Sequence, residues 1–415
     1  MREQSETQIL DREHRGRRAF LRRGLVGMGV LATGPVLSSC RESNPVSANA
    51  VRTEPRQPRI GERLGRLGPL LPPDENGVRL PEGFSSRILA RSSQEPVAGC
   101  GYRWHAAPDG AAVFSTADGW IYVSNSEVGG NRGGAGALRF NADGVLIHAY
   151  SILSGTTANC AGGPTPWGTW LSCEEDDQGR VWECDPLGKK EAVVWPAMGV
   201  FKHEAAAVDP LNNDIYLTED RGDGLLYRFR PSSADRKMPD LSSGVLEAAQ
   251  VLEGGEVVWH RVKNPAGSVQ PTRLQVPQAT IFKGGEGAWM HDHVLYFTTK
   301  GDERVWAYDT KQSVIAVIYD HAHLLGDELT GVDNVTVSAG GDVLVAEDGG
   351  DNQIVAVLPG GRTSAVLQVA GHDKSEITGP VFDPTGTRLY FSSQRGESGQ
   401  SEDGVTFEVS GPFAG

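Results

Sequence analysis

Acidic residues recur at one place along this chain. Six times a short apolar run ends in a small residue and opens onto polar or acidic ones: Ile121-Tyr-Val-Ser-Asn-Ser, Thr169-Trp-Leu-Ser-Cys-Glu, Ile215-Tyr-Leu-Thr-Glu-Asp, Tyr296-Phe-Thr-Thr-Lys, Val343-Leu-Val-Ala-Glu-Asp and Leu389-Tyr-Phe-Ser-Ser-Gln. Glu174, Glu175, Glu219, Asp220, Glu347 and Asp348 sit there, and Glu204 and Glu376 add to them elsewhere in the repeat. That is more carboxylate than a folded core holds unpaired. Aimed at a common axis, such acids form a ligand set for hard cations. One thiol lies in the same neighbourhood. In Asn159-Cys-Ala-Gly-Gly-Pro-Thr-Pro-Trp-Gly-Thr-Trp-Leu-Ser-Cys-Glu-Glu, glycines and prolines fix an irregular loop that presents Cys160 at the start of a strand.

The elements that position these groups repeat. Between Ser124, Ser172, Thr218, Thr298, Ala346 and Ser392 the gaps are about 48, 46, 80, 48 and 46 residues, the period of β-propeller blades with one insertion. A second strand follows each acidic loop, as in Leu225-Leu-Tyr-Arg-Phe, Arg304-Val-Trp-Ala-Tyr and Gln353-Ile-Val-Ala-Val. Helical periodicity is nearly absent, and 53 glycines agree with many turns. The chain therefore reads as all-β, a six-bladed β-propeller over residues 81–415 with an insertion between the third and fourth blades. The insertion runs from about Pro231 to Pro277, with a helical stretch expected at Val245–Gln250. Residues 41–80 read as a flexible tether whose Leu64, Leu67, Leu70 and Leu71 pack on the outside of the body. Cys173 and Cys184 flank the turn Asp176-Asp-Gln-Gly, so a cross-strand disulfide is open to them, with buried free thiols as the alternative.

Residues 1–40 read as an address. Gly16-Arg-Arg-Ala-Phe-Leu-Arg precedes an apolar run from Leu25 to Leu37, too short for a membrane span and suited to a twin-arginine export signal. Leu37-Ser-Ser-Cys resembles a lipobox, which makes Cys40 a lipid anchor and the cell envelope the destination; cleavage after Ala50 yields a soluble periplasmic or secreted protein instead. The net charge of −14 argues against nucleic acid, and membrane contact is expected only through Cys40. Nothing in the sequence demands a protein partner, and a monomer is expected.

No Gly-x-Ser-x-Gly elbow, P-loop, Rossmann fingerprint or His-Glu-x-x-His motif is present, which disfavours serine hydrolases and nucleotide-dependent enzymes. The Cys160 run, together with Lys202-His-Glu-Ala-Ala, Thr218-Glu-Asp-Arg and Glu376-Ile-Thr-Gly-Pro, resembles the PhoX-type alkaline phosphatases. The resemblance covers most of residues 84–396. It implies a six-bladed propeller with calcium and iron at the channel mouth, cleaving small phosphate monoesters. It makes Cys160, Glu204 and Asp333 the catalytic centre, with Cys160 on iron. By residue type, Glu174, Glu175, Glu219, Asp220 and Glu376 are further candidate metal ligands, with loop caps or pairs to Arg221 and Arg304 as the alternative. The donor types agree, since thiolate with carboxylate suits iron and carboxylate alone suits calcium.

One segment departs from the family. Where members carry Arg-Pro-Glu, this chain has Gly331-Val332-Asp333, so Asp333 replaces a glutamate and the arginine is absent. Arg221, Arg132 and Lys300 are the candidate substitutes. A charged hydrogen bond lost from a phosphate site is worth roughly 1.5–3 kcal/mol. The alternatives to a phosphatase are a calcium-dependent lactonase-like propeller hydrolase and a non-catalytic exported propeller that binds a ligand.

Overall fold

The computed structural model describes residues 59–413, apart from 233, 234, 236 and 324–328. The twin-arginine segment, the cleavage site and Cys40 lie outside the described residues. Among those described, no helix is long and apolar enough to cross a membrane, and helices are limited to short 3-10 turns.

The alternating runs pair into six antiparallel sheets. From the axis outward, blade 1 is Pro108–Thr116, Gly119–Ser126, Gly133–Asn141 and Leu146–Thr156, and blade 2 is Asn159–Pro164, Trp170–Glu174, Val181–Cys184 and Val193–Val194. Blade 3 is His203–Val208, Ile215–Glu219, Leu226–Pro231, Gly244–Val251 and Val257–Arg261; blade 4 is Gly285–His291, Val294–Thr299, Arg304–Asp309 and Val314–Asp320. Blade 5 is Val332–Val337, Val343–Glu347, Gln353–Val357 and Thr363–Val369, with Val78–Arg79 on its outer edge. Blade 6 is Ile377–Phe382, Arg388–Ser393 and Val405–Ser410, completed by Ser85–Arg91 from the other end of the chain. That closure ties Ser85–Arg91 and the last described strand, Val405–Ser410, into one sheet and leaves the circle of blades without a free seam.

Each apolar cluster lies between two adjacent blades. Leu171, Cys173 and Val181 of blade 2 pack on Ala206, Ile215 and Leu217 of blade 3, and Leu344, Ile354 and Leu367 of blade 5 on Leu389, Phe391 and Phe407 of blade 6. Fully burying such side chains is worth about 1.5–3 kcal/mol each. Below the mouth the inner strands of neighbouring blades approach closely. A Cβ on Gly110 would lie 2.4 Å from Ala161 Cα, and one on Gly287 would lie 2.6 Å from Asn334 Cα.

Two local expectations are corrected. Val245–Gln250 is strand, not helix: it lies within Gly244–Val251, which pairs with Leu226–Pro231. A short Val-Leu-Glu-Ala-Ala-Gln run carries no decisive period, and the open edge of blade 3 settles it. No disulfide joins Cys173 to Cys184; both are free and buried. The register sets Cys173 opposite Val181 and Cys184 opposite Trp170. An odd offset turns the two thiols to opposite faces of the sheet, one packing toward blade 3 and the other toward blade 1. Of residues 41–80, the described part packs on blade 5: Leu64 is fully buried against it, and Asp342 Oδ1 accepts the Arg63 N–H at 2.8 Å.

Candidate metal centre

In every blade the pairing of the innermost strand with the second slips near the same end. The breaks fall between Pro108 and Ala111, Asn159 and Gly162, His203 and Ala206, Gly285 and Ala288, Val332 and Val335, and Thr378 and Val381. A bulge bends its strand and re-aims the unpaired side chain. In blades 1 to 5 the first unpaired residue is Asp109, Cys160, Glu204, Glu286 and Asp333 in turn. In blade 6 the bulge holds Gly379, whose N–H donates to Asn334 Oδ1 at 2.6 Å. A second tier stands one residue beyond the end of each second strand: Glu127, Glu175, Asp220, Lys300, Asp348 and Gln394.

The two tiers converge into four overlapping triads, Asp109–Glu127–Cys160, Cys160–Glu175–Glu204, Glu204–Glu286–Asp333 and Asp333–Asp348–Glu376. Within each triad the donor atoms all lie within 4.8 Å of one another. Of the residues expected from sequence, Cys160, Glu175, Glu204, Asp333 and Glu376 meet here. Asp220 stands in the second tier, accepting from Lys202 Nζ at 2.8 Å.

Glu174 and Glu219 do not join them. Glu174 accepts the N–H groups of Thr157 (3.0 Å) and Arg180 (3.2 Å), while Glu219 accepts from the Leu225 N–H (3.2 Å) and the Tyr227 hydroxyl (2.8 Å). Neighbours on a strand point to opposite sides, so the first acid of each pair turns back onto its own loop and the second turns to the axis. His203 obeys the same alternation. Its ring stacks on Phe201 with centroids 3.6 Å apart and makes no contact with the Glu204 carboxylate, whose oxygens are both without a hydrogen-bond partner. Trp104 and His105 are packing residues, with Trp104 Nε1 donating to Thr406 Oγ1 at 2.9 Å.

Asp109, Glu127 and Glu286 escaped the sequence reading, although a signal was present. Asp109-Gly-Ala, Cys160-Ala-Gly, Glu204-Ala-Ala and Glu286-Gly-Ala are one phrase, a donor followed by two small residues that allow close packing at the axis. Glu127 lies three residues past Ser124, as Glu175 lies three past Ser172.

The site is far from electrostatic balance. Glu204 is fully buried, and neither carboxylate oxygen has a hydrogen-bond partner. Burial, reinforced by the Glu286 and Glu175 charges, pushes its pKa well above the carboxylate range. Burial likewise raises Asp109, Glu286 and Glu376, lifts Glu175 to about 8 and Asp333 to about 7, and holds the Cys160 thiol protonated. Three cations offset part of this charge. Lys202 bridges Glu175 and Asp220; Lys300 donates to Asp348 Oδ2 at 2.8 Å and lies 3.4 Å from Glu286 Oε1; Arg395 donates to Glu376 Oε1 at 2.8 Å. None of them reaches Glu204. A buried ionised carboxylate without a partner costs several kcal/mol. A multivalent cation among these donors would supply the partner that the protein does not, so the residues fit a bound metal. The one sulfur lies at the junction of two carboxylate triads, a mixed set suited to a transition metal.

A family model described as Alkaline phosphatase PhoX matches residues 117–322, a span that contains Glu127, Cys160, Glu175, Glu204 and Glu286. The chain belongs to this family. Among solved structures, PhoX from Pseudomonas fluorescens in complex with vanadate, a transition state analogue, aligns with a TM-score of 0.68 at 16% identity, covering 83% of this chain and 98% of that one. A gluconolactonase, XC5397 from Xanthomonas campestris, aligns at 0.50 and 13% identity over 83% and 98% of the two chains. A Bacteroides thetaiotaomicron protein of unknown function aligns at 0.51 and 10% over 79% and 76%. At these identities the three structures speak to the propeller fold alone. No curated protein matches. The chain is therefore a phosphatase-type propeller of the PhoX family.

Proposed function

We propose that the protein is an exported, metal-dependent hydrolase of phosphate monoesters that holds calcium together with iron at the mouth of the propeller. The observation that carries this reading is the fully buried Glu204, with two unpartnered oxygens and Cys160 in its triad. Asp109, Cys160, Glu204, Glu286, Asp333 and Glu376, with Glu127, Glu175 and Asp348 above them, are the residues that would hold the ions. Bound there, multivalent cations supply the positive charge that phosphoryl oxygens require and acidify bound water. The sulfur favours this reading over a calcium-only lactonase-like site, since carboxylates alone suffice for calcium.

The chain's own part is binding and orientation. Gly331 contributes no side chain, and its corner of the mouth is reached from blade 4. Lys300 Nζ lies 2.8 Å from Asp348 Oδ2, and the Asp348 N–H donates to Gly331 O at 2.8 Å. Burial lowers the Lys300 pKa, but the Asp333, Glu286 and Asp348 charges outweigh it and keep the ammonium protonated. Its side chain is 38% exposed, open to an arriving anion. Lys300 is thus the positioning cation for the phosphate. Export by the twin-arginine route, with Cys40 as lipid anchor, is part of the same proposal.

The test is hydrolysis of a chromogenic phosphate monoester by protein exported in a native host, with calcium present, beside a Glu204→Ala control. Activity lost on chelation and in the variant supports the reading. Folded wild-type protein no more active than the control sinks it.

A further inference from the structure

We infer that the cavity beside the metal centre, between blades 2 and 3 and the inserted loop, is a subsite for a second anionic group on the leaving side of a phosphate monoester. The inference rests on the phosphatase reading and adds a substrate class to it. The cavity measures about 430 Å³, and its wall carries Lys202, Arg221 and Arg273 against the single acid Asp177. That is a cationic wall in a chain of net charge −14. A local concentration of positive charge there attracts anions that the rest of the surface repels.

The cavity adjoins the metal centre through Lys202, which bonds Glu175 of the Cys160–Glu175–Glu204 triad and also lines the cavity. Its far wall is rigid. Pro265 O accepts the Val200 N–H at 2.8 Å, and the Tyr227 hydroxyl bridges Glu219 Oε2 at 2.8 Å and the buried Thr272 Oγ1 at 3.1 Å. The insertion that lengthens the repeat is therefore tied down as one side of a site. Arg221 pairs with Asp177, and Arg273 Nε donates to Asp223 Oδ1 at 2.9 Å while its Nη1 lies 3.7 Å from Glu219 Oε1, yet the two arginine side chains stay 35% and 21% exposed. A guanidinium with five N–H donors, held through one or two of them, keeps the rest in a planar fork suited to a carboxylate or phosphate. The volume falls within the ordinary range of small-molecule sites.

The experiment compares 3-phosphoglycerate with glycerol 3-phosphate, esters of similar size that differ in a carboxylate, on the metal-loaded full chain. Expected is a wild-type kcat/KM at least about tenfold higher for the carboxylated ester, carried by KM. In Arg273→Ala that ratio falls toward one, and Arg273→Lys restores part of it. Ser268→Trp, which fills the cavity without removing a charge, lowers the ratio independently if the arginine variant is unstable. Glycerol 1,3-bisphosphate run in parallel distinguishes a carboxylate from a second phosphate as the preferred group. A wild-type ratio near one, or a ratio unmoved by both variants, overturns the inference. If no ester is cleaved, the phosphatase reading fails separately. The subsite is then judged by whether 3-phosphoglycerate raises the Tm more than glycerol 3-phosphate does, and whether Arg273→Ala abolishes the difference; equal shifts overturn it.

Discussion

Glu174 and Glu175 are adjacent in the chain and live in different environments. Glu174 accepts two backbone N–H groups of its own loop, whereas Glu175 looks into the mouth and meets Cys160, Glu204 and Lys202. The division recurs in blade 5, where Glu347 accepts the Thr330 and Gln353 N–H groups at 3.0 Å each and Asp348 joins Asp333 and Glu376. Blade 3 repeats it with Glu219 and Asp220. One tier of acids thus holds loops through their backbone donors; the other is collected at the axis, where three cations meet part of its charge and Glu204 has no partner. An acid-rich repeat builds its scaffold and its site from neighbouring letters, and strand alternation does the sorting.

Removing one acid of each kind separates their roles. Glu204→Ala is expected to lower phosphate-ester hydrolysis at least about a thousandfold, some 4 kcal/mol of transition-state stabilisation. It should also reduce bound metal measured on the purified protein, while the metal-free Tm holds or rises because an unpartnered buried carboxyl is gone. A metal-free Tm well below wild type would place Glu204 among the scaffold acids instead. Glu219→Ala should do the reverse. It strips the Leu225 N–H of its acceptor and leaves the Tyr227 hydroxyl with Thr272 Oγ1 alone, a loss of about 1–3 kcal/mol of stability for the orphaned buried donor. Bound metal per folded protein should stay unchanged; a variant as stable as wild type but depleted of metal would return Glu219 to the ligand set.

Gly331 tests the same boundary through the backbone. Its φ is +61°, and an added Cβ would lie 2.2 Å from Asp348 O. Gly331→Ala is expected to destabilise the protein by about 1–3 kcal/mol in denaturant melts, and restoring an arginine there should do no better. A Gly331→Arg protein with wild-type stability would show that the corner can relax, and would remove the reason for Lys300 to reach across from blade 4.

The fold was legible because its spacing is regular. Six strand endings at blade period outlined the architecture, and the long gap marked the enlarged third blade. The site was half legible. Cys160, Glu175, Glu204, Asp333 and Glu376 stood out by type and phrase, but the bulges that aim the inner-strand donors are a property of register, which depends on the partner strand. Glu286 lies in a glycine-rich phrase that reads as a turn until blade 4 is laid beside blade 3. Glu174 and Glu219 were assigned with their neighbours because composition does not state which face a residue takes.

The smallest effect expected is a titration of the buried acids without any substitution, in which calcium distinguishes the two kinds. In the metal-free protein Glu175 is raised to about 8 and Asp333 to about 7, first by burial, from 4.5 and 3.8. A carboxyl whose folded pKa is raised contributes stability that is fully present below its unfolded value and is lost as pH rises through the folded one. His105 and His203, both lowered by burial from 6.5 to about 3, contribute stability that is lost only as pH falls below 6.5. Between pH 6.5 and 8 the axial carboxyls, together with Glu219 and Glu347, which burial raises to about 7, therefore act without these histidines, and the Tm of metal-free protein should fall by a few degrees across that interval. Calcium should flatten the slope, because an ion that takes the proton's place removes the penalty of ionisation. A Tm that rises or stays level from pH 6.5 to 8 without metal would mean that Lys202, Lys300 and Arg395 already balance the axial ring, and the contrast between satisfied and unsatisfied acids would lose its energetic basis.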